Sequence, residues 1–221
     1  MARCALGLGV LSLAMPAFAG TVAGRVELLE KSGRAATNLS DVVVYLEGDL
    51  GKPKPPKTIA ATLTMSKKAF NPHVVVVPVG ATVDFPNEDP VFHNAFSVSG
   101  SNRFDLDLYK RPKSGVWTFQ YPGIVKVYCN IHPQMSAVIV VRDNPFYTMA
   151  SQDGSFAIER VPAGRYKLTA WHERVPLPAS AEVAVPAEGR VEGQLTLDAS
   201  KYKREKHLNK FGKAYSSTED Y

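Results

Sequence analysis

Sulfur and imidazole are scarce in this chain of 221 residues, which has two cysteines, five methionines and five histidines. One cysteine, Cys4, lies in a stretch that reads as an export signal over residues 1–19. Arg3 precedes the apolar run CALGLGVLSLAM, and AFA ends at Ala19 ahead of Gly20. Export to a periplasmic or secreted location leaves Cys129 as the lone thiol. A lone thiol excludes an internal disulfide, and a bare one in an oxidising compartment is a liability, so something is expected to occupy that sulfur. No apolar run is long enough to predict a membrane-spanning helix. No stretch before residue 200 holds a helical period, which argues against a helical fold. No Ser-His-Asp order, paired carboxylate or phosphate-cradling glycine loop stands out, so no enzyme activity is expected. Charge is unevenly spread. The net charge is +5, but Lys201, Lys203, Arg204, Lys206, Lys210 and Lys213 crowd residues 199–221, against Glu205, Glu219 and Asp220. The remaining body is nearly neutral, which excludes a nucleic-acid surface.

What is present is strand signal. DVVVYLE (41–47), TIAATLTM (58–65), HVVVVPV (73–79), IVKVYC (124–129) and AVIVVR (137–142) are separated by turn residues, and the chain has sixteen glycines and sixteen prolines. That pattern predicts an all-β fold of antiparallel sandwich type. GKPKPPK (51–57) reads as an extended linker and DNP (143–145) as a break. Residues 99–115 read as a long connection with few strands. Leu208, Phe211 and Tyr215 fall at helical spacing, which allows a short amphipathic helix in a basic tail, residues 199–221.

Against this background YCNIHPQM (128–135) concentrates a thiol, an imidazole and a thioether within seven positions: Cys129, His132 and Met135. NEDPVFHNAFSVS (87–99) supplies His93 beside a second predicted strand. Two histidines and a cysteine with a weak axial methionine make the ligand pattern of a blue-copper site. Thiolate and thioether suit Cu(I), imidazole suits both oxidation states, and a thioether is a poor ligand for zinc. Asp84, Glu88 and Asp89 read as turn chemistry ahead of His93. His73 reads as a surface residue, His172 as structural and His207 as solvated, while Tyr128 and Trp117 read as core aromatics.

These two motifs, CNIHPQM and FNPHVVVVPVGATVDFPNEDPVFHNAFS (70–97), resemble the cupredoxins, the amicyanin-like branch above all, over roughly residues 57–142. The resemblance implies a Greek-key sandwich that holds one copper ion, with His93, Cys129 and His132 as equatorial ligands and Met135 as the axial one. It implies that the Asn94 side chain bonds across to the Cys129 loop, and that His132 is the exposed ligand through which an electron leaves. DGSFAIERVPAGRYKLTAWHE (153–173) is similar to the carboxypeptidase regulatory-like domain, a small transthyretin-like sandwich, and GTVAGRVELLEKSGRAATNLSDVVVYLEG (20–48) looks like its opening strands. The expected organisation is therefore a signal peptide (1–19), a discontinuous regulatory-like sandwich (20–50 and 146–198), a cupredoxin domain (51–145) inserted into it, and the tail. The expected function is one-electron transfer between periplasmic redox proteins such as a c-type cytochrome or a dehydrogenase. Ile131 and Pro133 would make the contact, with Lys110, Arg111 and Lys113 as a steering rim. The alternative is copper binding for delivery, storage or sensing, with the second sandwich used for docking.

Overall fold

The computed structural model describes residues 19–204 and 206–215, and among these the chain is almost entirely β. The export signal falls outside the described residues except for Ala19, which opens the first strand. Two strands come first, β1 (Ala19–Leu29) and β2 (Val43–Glu47). Ten follow in the middle: β3 (Ile59–Thr62), β4 (Thr64–Ser66), β5 (Ala69–Asn71), β6 (Val74–Pro78), β7 (Ala81–Pro86), β8 (His93–Ser97), β9 (Phe104–Tyr109), β10 (Ser114–Phe119), β11 (Gly123–Tyr128) and β12 (Ser136–Arg142). Five complete the set: β13 (Tyr147–Met149), β14 (Ser155–Pro162), β15 (Gly164–Trp171), β16 (Ala179–Val185) and β17 (Arg190–Asp198).

Sheet membership sorts these strands into two groups. The middle strands form sheets ordered β6-β12-β11-β8-β9 and β10-β7-β3, with β4 and β5 as a hairpin. The first two strands pair only with late ones, in sheets ordered β14-β1-β17 and β13-β2-β15-β16. Each group closes on its own core, one around Phe85, Phe119, Ile139 and Cys129, the other around Leu28, Leu46, Leu168 and Leu197. Asn144, in the predicted break, pins the returning chain. Its amide donates to Leu46 O at 3.0 Å, and its own Oδ1 accepts the Phe146 N–H.

The unbroken apolar runs have a specific cause. β12 is buried on both faces: Ala137, Ile139 and Val141 enter the first core, while Val138 and Val140 enter a third cluster. β2 divides the same way, with Val44 and Leu46 facing its own core and Val43 and Tyr45 joining that third cluster. The two sandwiches therefore pack face to face through Val43, Tyr45, Val74, Val138 and Val140, and the Arg142 guanidinium lies 3.7 Å over the Tyr45 ring. Half-buried strands alternate instead. In β7 Ala81, Val83 and Phe85 are buried while Thr82 and Asp84 are not. The predicted Asp153-Gly154 turn forms with Gly154 at φ +84, and a Cβ there would lie 2.2 Å from Val26 O, so only glycine fits.

Three expectations are corrected. The 99–115 connection contains β9, whose FDLDLY alternates apolar and acidic residues and pairs with β8. TIAATLTM is broken at the buried Leu63 into β3 and β4. Residues 208–215 form no helix. Asn209 Oδ1 accepts the N–H groups of Phe211 and Lys213, Gly212 takes φ +72, and Leu208 and Phe211 stay exposed, so there is no apolar stripe to bury.

Candidate metal centre

Cys129 follows the last residue of β11, and Met135 immediately precedes β12. The loop between them is closed by its own backbone, with Cys129 N–H donating to Met135 O at 3.2 Å and Met135 N–H to His132 O at 3.0 Å. His93 opens β8, which pairs with β11 through Phe96 and Tyr128. This pairing brings two distant points of the chain together. The ligand atoms of His93, Cys129 and His132 all lie within 4.8 Å of one another, and all three residues are buried. His93 Nδ1 stands 3.0 Å from His132 Nδ1, which is 3.6 Å from Cys129 Sγ. Met135 is fully buried and shares the core cluster of Cys129.

Asp89 decides which nitrogen of His93 faces this cluster. Its Oδ2 lies 2.7 Å from His93 Nε2, and a carboxylate can only accept, so Nε2 carries the proton and Nδ1 presents a lone pair to Cys129 and His132. Asp89 also accepts the backbone N–H groups of Lys67 and Lys68 at 2.8 and 2.9 Å. These are the two turn residues of the β4–β5 hairpin, both at φ +54, the left-handed conformation that a two-residue hairpin loop requires. Burial alone would raise the Asp89 pKa, but these donors and the His93 ring outweigh it and hold the carboxyl below its ordinary value. The acidic residue read as turn chemistry thus orients a candidate ligand. Asp89→Asn keeps the shape and loses the charge. It is expected to lower metal affinity by about 10–100-fold, the usual effect of losing a ligand's supporting partner, as measured by competition with a chelator. Unchanged affinity would show that Asp89 serves only the turn.

The Cys129–His132 pair is spaced as two ligands of one ion would be. Two ligands at about 2.0 and 2.3 Å from a tetrahedral ion stand about 3.5 Å apart, close to the Cys129–His132 separation of 3.6 Å. Burial pushes the Cys129 thiol pKa up, against the pull of the Ile131, Asn94 and His132 backbone N–H groups, which point at the sulfur. Those donors are suited to a sulfur that bears charge, and a bound cation would supply the remaining compensation.

One family model matches part of the chain: polysaccharide lyase family 4, domain II, over residues 125–192, or 68 of 221 positions. That span crosses from the last strands of the first sandwich into the second one. No curated protein matches. Solved structures similar to part of the chain include copper proteins. A copper-containing nitrite reductase from Thermus scotoductus is 29% identical over 41% of this chain and 24% of its own, with a TM-score of 0.38. A purple cupredoxin from Nitrosopumilus maritimus is 23% identical over 37% and 99%, with a TM-score of 0.34. Amicyanin from Paracoccus versutus is 19% identical over 39% and 84%, with a TM-score of 0.35. The chain thus spans about a quarter of the length of the reductase.

Other predicted residues sit differently from expectation. The Asn94 side chain does not reach the Cys129 loop. Its Nδ2 donates to Asp105 Oδ1 and Asp107 O at 2.8 and 2.9 Å on β9, where the β8–β9 register shifts after Asn94. His132 is not an exposed ligand. It is 8% exposed, with its ring turned inward between His93 and Cys129. His73 is half-buried and bridges Ser136 O to Glu173. His172 is buried in the second sandwich, away from the cluster. His207 is not solvated: its ring stacks on Tyr128 with centroids 3.9 Å apart. Trp117 stacks on Phe104 against the core, as a core aromatic should.

Proposed function

We propose that His93, Cys129 and His132 hold one copper ion, with Met135 as its weak axial ligand, and that the protein is an exported one-electron carrier. The observation that carries this reading is the convergence of a thiol and two imidazoles, all buried, from two separated segments to within 4.8 Å. Met135, fully buried in the core cluster of Cys129, offers a thioether, and a thioether ligand would favour copper over zinc. Copper in such a set supplies a Cu(I)/Cu(II) couple with little ligand movement. The residues contribute the rest. Asp89 fixes the His93 lone pair, the N–H groups around Cys129 offset sulfur charge, and the closed loop and burial keep water away. With side chains filling every ligand position, no place is left for a substrate, which supports a carrier over an enzyme.

The strand pairing supports reading residues 51–145 as a cupredoxin domain inserted into a second sandwich of residues 20–50 and 146–198, which we read as carboxypeptidase regulatory-like. Pro133, expected to share this contact with Ile131, is buried, so exposed Val91, Phe92 and Ile131 near the ligand segments offer the apolar docking face, and Lys110 lies 5.4 Å over the Phe92 ring as part of a cationic rim. Small interfaces of this kind suit transient redox partners such as a c-type cytochrome or a periplasmic dehydrogenase.

Copper titration tests the reading. An intense visible absorption should saturate at one equivalent, with a single Cu(II) EPR signal that vanishes on reduction and returns on oxidation. A sample that stays colourless would overturn it. A carrier should also keep Cu(I) against a chelator while it cycles, and rapid loss would favour copper delivery instead.

A further inference from the structure

Segment 206–215 directs its polar groups at one target. The Pro133 carbonyl accepts a hydrogen bond from His207 Nε2 at 2.6 Å. The Tyr215 hydroxyl donates to Cys129 O at 2.8 Å, and its ring stands edge-on to His207. Lys210 N–H donates to Asn130 Oδ1 at 3.0 Å. All three bonds end on the loop that joins Cys129 to Met135. A fourth contact arrives from the side. Lys210 Nζ donates to Asp105 Oδ2 at 2.6 Å, and Asp105 Oδ1 accepts at 2.8 Å from the amide of Asn94, the residue that follows His93.

Apolar burial does not explain this attachment. Leu208 and Phe211 are exposed, and the turn at Asn209–Lys213 is closed by its own bonds. The segment is held by the stack of His207 on Tyr128 and by hydrogen bonds to the outer carbonyls of the loop. A segment held so can be peeled away without disturbing either core, and its grip is felt where it lands.

We propose that residues 206–215 form a strap in which His207, Lys210 and Tyr215 are positioning residues, clamping the Cys129–Met135 loop shut over the buried sulfur and holding the site ready for its ion. The value of the strap for metal binding rests on the copper reading, but its grip on the loop does not. With the strap in place the loop opens rarely, and Cys129 is shielded from reagents as well as from metal loss. Without it, Cys129 O and Pro133 O face water and the loop opens more often.

The test uses the full chain with Cys4→Ser, so that Cys129 is the lone thiol, and begins with metal-free protein. Alkylation of Cys129 by iodoacetamide under native conditions should be about fivefold faster in His207→Ala and in Tyr215→Phe, the ratio expected when one ordinary hydrogen bond is lost. It should be faster still when residues 206–221 are deleted. Lys210→Met keeps the backbone bond to Asn130 and loses the one to Asp105, so it should accelerate alkylation less, and Lys210→Arg should reverse most of that change. Circular dichroism and the unfolding midpoint should be unchanged for Tyr215→Phe, which separates loop opening from general loosening. In copper-loaded protein, extraction by a Cu(I) chelator should accelerate in the same order, and the visible spectrum should shift. Equal alkylation rates in parent, Tyr215→Phe and deleted chains would overturn the strap. Faster alkylation in a chain that never binds copper would uphold the strap and sink the copper reading.

Discussion

Cys129→Ser is expected to abolish the intense visible absorption of the copper-loaded protein and to weaken copper binding by more than about a hundredfold. The floor comes from comparison: losing a residue that only supports a ligand costs about 10–100-fold, and losing the one anionic ligand should cost more. A serine hydroxyl remains protonated near neutral pH, so the substituted set would be two neutral imidazoles and a neutral thioether, with no charge to set against the cation and no thiolate to give rise to the colour. The fold should survive. The oxygen takes the place of a buried sulfur that has the His132 ring nitrogen 3.6 Å away, and a hydroxyl can both donate and accept there. Metal-free parent and variant should therefore unfold at similar denaturant concentrations, which assigns the copper effect to ligation. Met135→Leu is the contrasting case. It should keep the colour and shift the potential, since on the proposed assignment its thioether would be the weak axial member of the set. Parent-like absorption in Cys129→Ser would remove the ligand assignment at a stroke.

The parts of this site that are legible in the sequence are those written into neighbouring residues. Cys129, His132 and Met135 are spaced for one loop, and the valine runs give the strands on either side, because burial on both faces of β12 and β2 leaves nothing polar to interrupt them. His93 could be paired with that loop because a rare residue type beside a second predicted strand leaves few alternatives. What stays hidden is whatever depends on register or on long loops. The direction of the Asn94 side chain follows from a register shift in the β8–β9 ladder, and a one-residue slip exchanges the faces of a strand. Asp89 reaches His93 from the next turn, but its role also rests on the hairpin at Lys67 and Lys68, more than twenty positions away. The alternation in FDLDLY was a readable strand signal, masked by the two aspartates. Nothing local marks His207 as a neighbour of Tyr128. A helical spacing in 208–215 pointed elsewhere, and Asn209 with Gly212 overrode it.

Two histidines at the junction of the sandwiches are expected to shape stability against pH in opposite senses. His172 is buried, and its Nδ1 accepts the Arg174 backbone N–H at 3.1 Å, so a proton arriving there would break that bond. Burial first, and the Arg174 charge second, push its pKa down to about 4. The unfolded chain takes up this proton near pH 6.5 and the folded one resists it, so stability should fall as pH drops from about 6.5 to 4, by on the order of 3 kcal/mol in total. His73 behaves in the reverse way. Ser136 O accepts from its Nδ1 at 3.0 Å and the Glu173 carboxylate from its Nε2 at 2.8 Å, an arrangement that needs both ring nitrogens protonated. The Glu173 hydrogen bond raises its pKa against the opposing effect of burial. Its contribution is fully present below about pH 6.5 and is lost as pH rises through the higher folded value. Together the pair should place a stability maximum near pH 6.5 in the metal-free protein, measured as denaturant midpoints from pH 4 to 8. His172→Gln should flatten the acid limb and His73→Gln the alkaline one. An acid limb that keeps its slope in His172→Gln would show that other groups govern it. Ser136 directly follows Met135 and Glu173 belongs to the second sandwich, so the alkaline limb reports the tie between that sandwich and the metal loop. Loosening it should accelerate loop opening above the maximum, where the imidazolium no longer bridges the two.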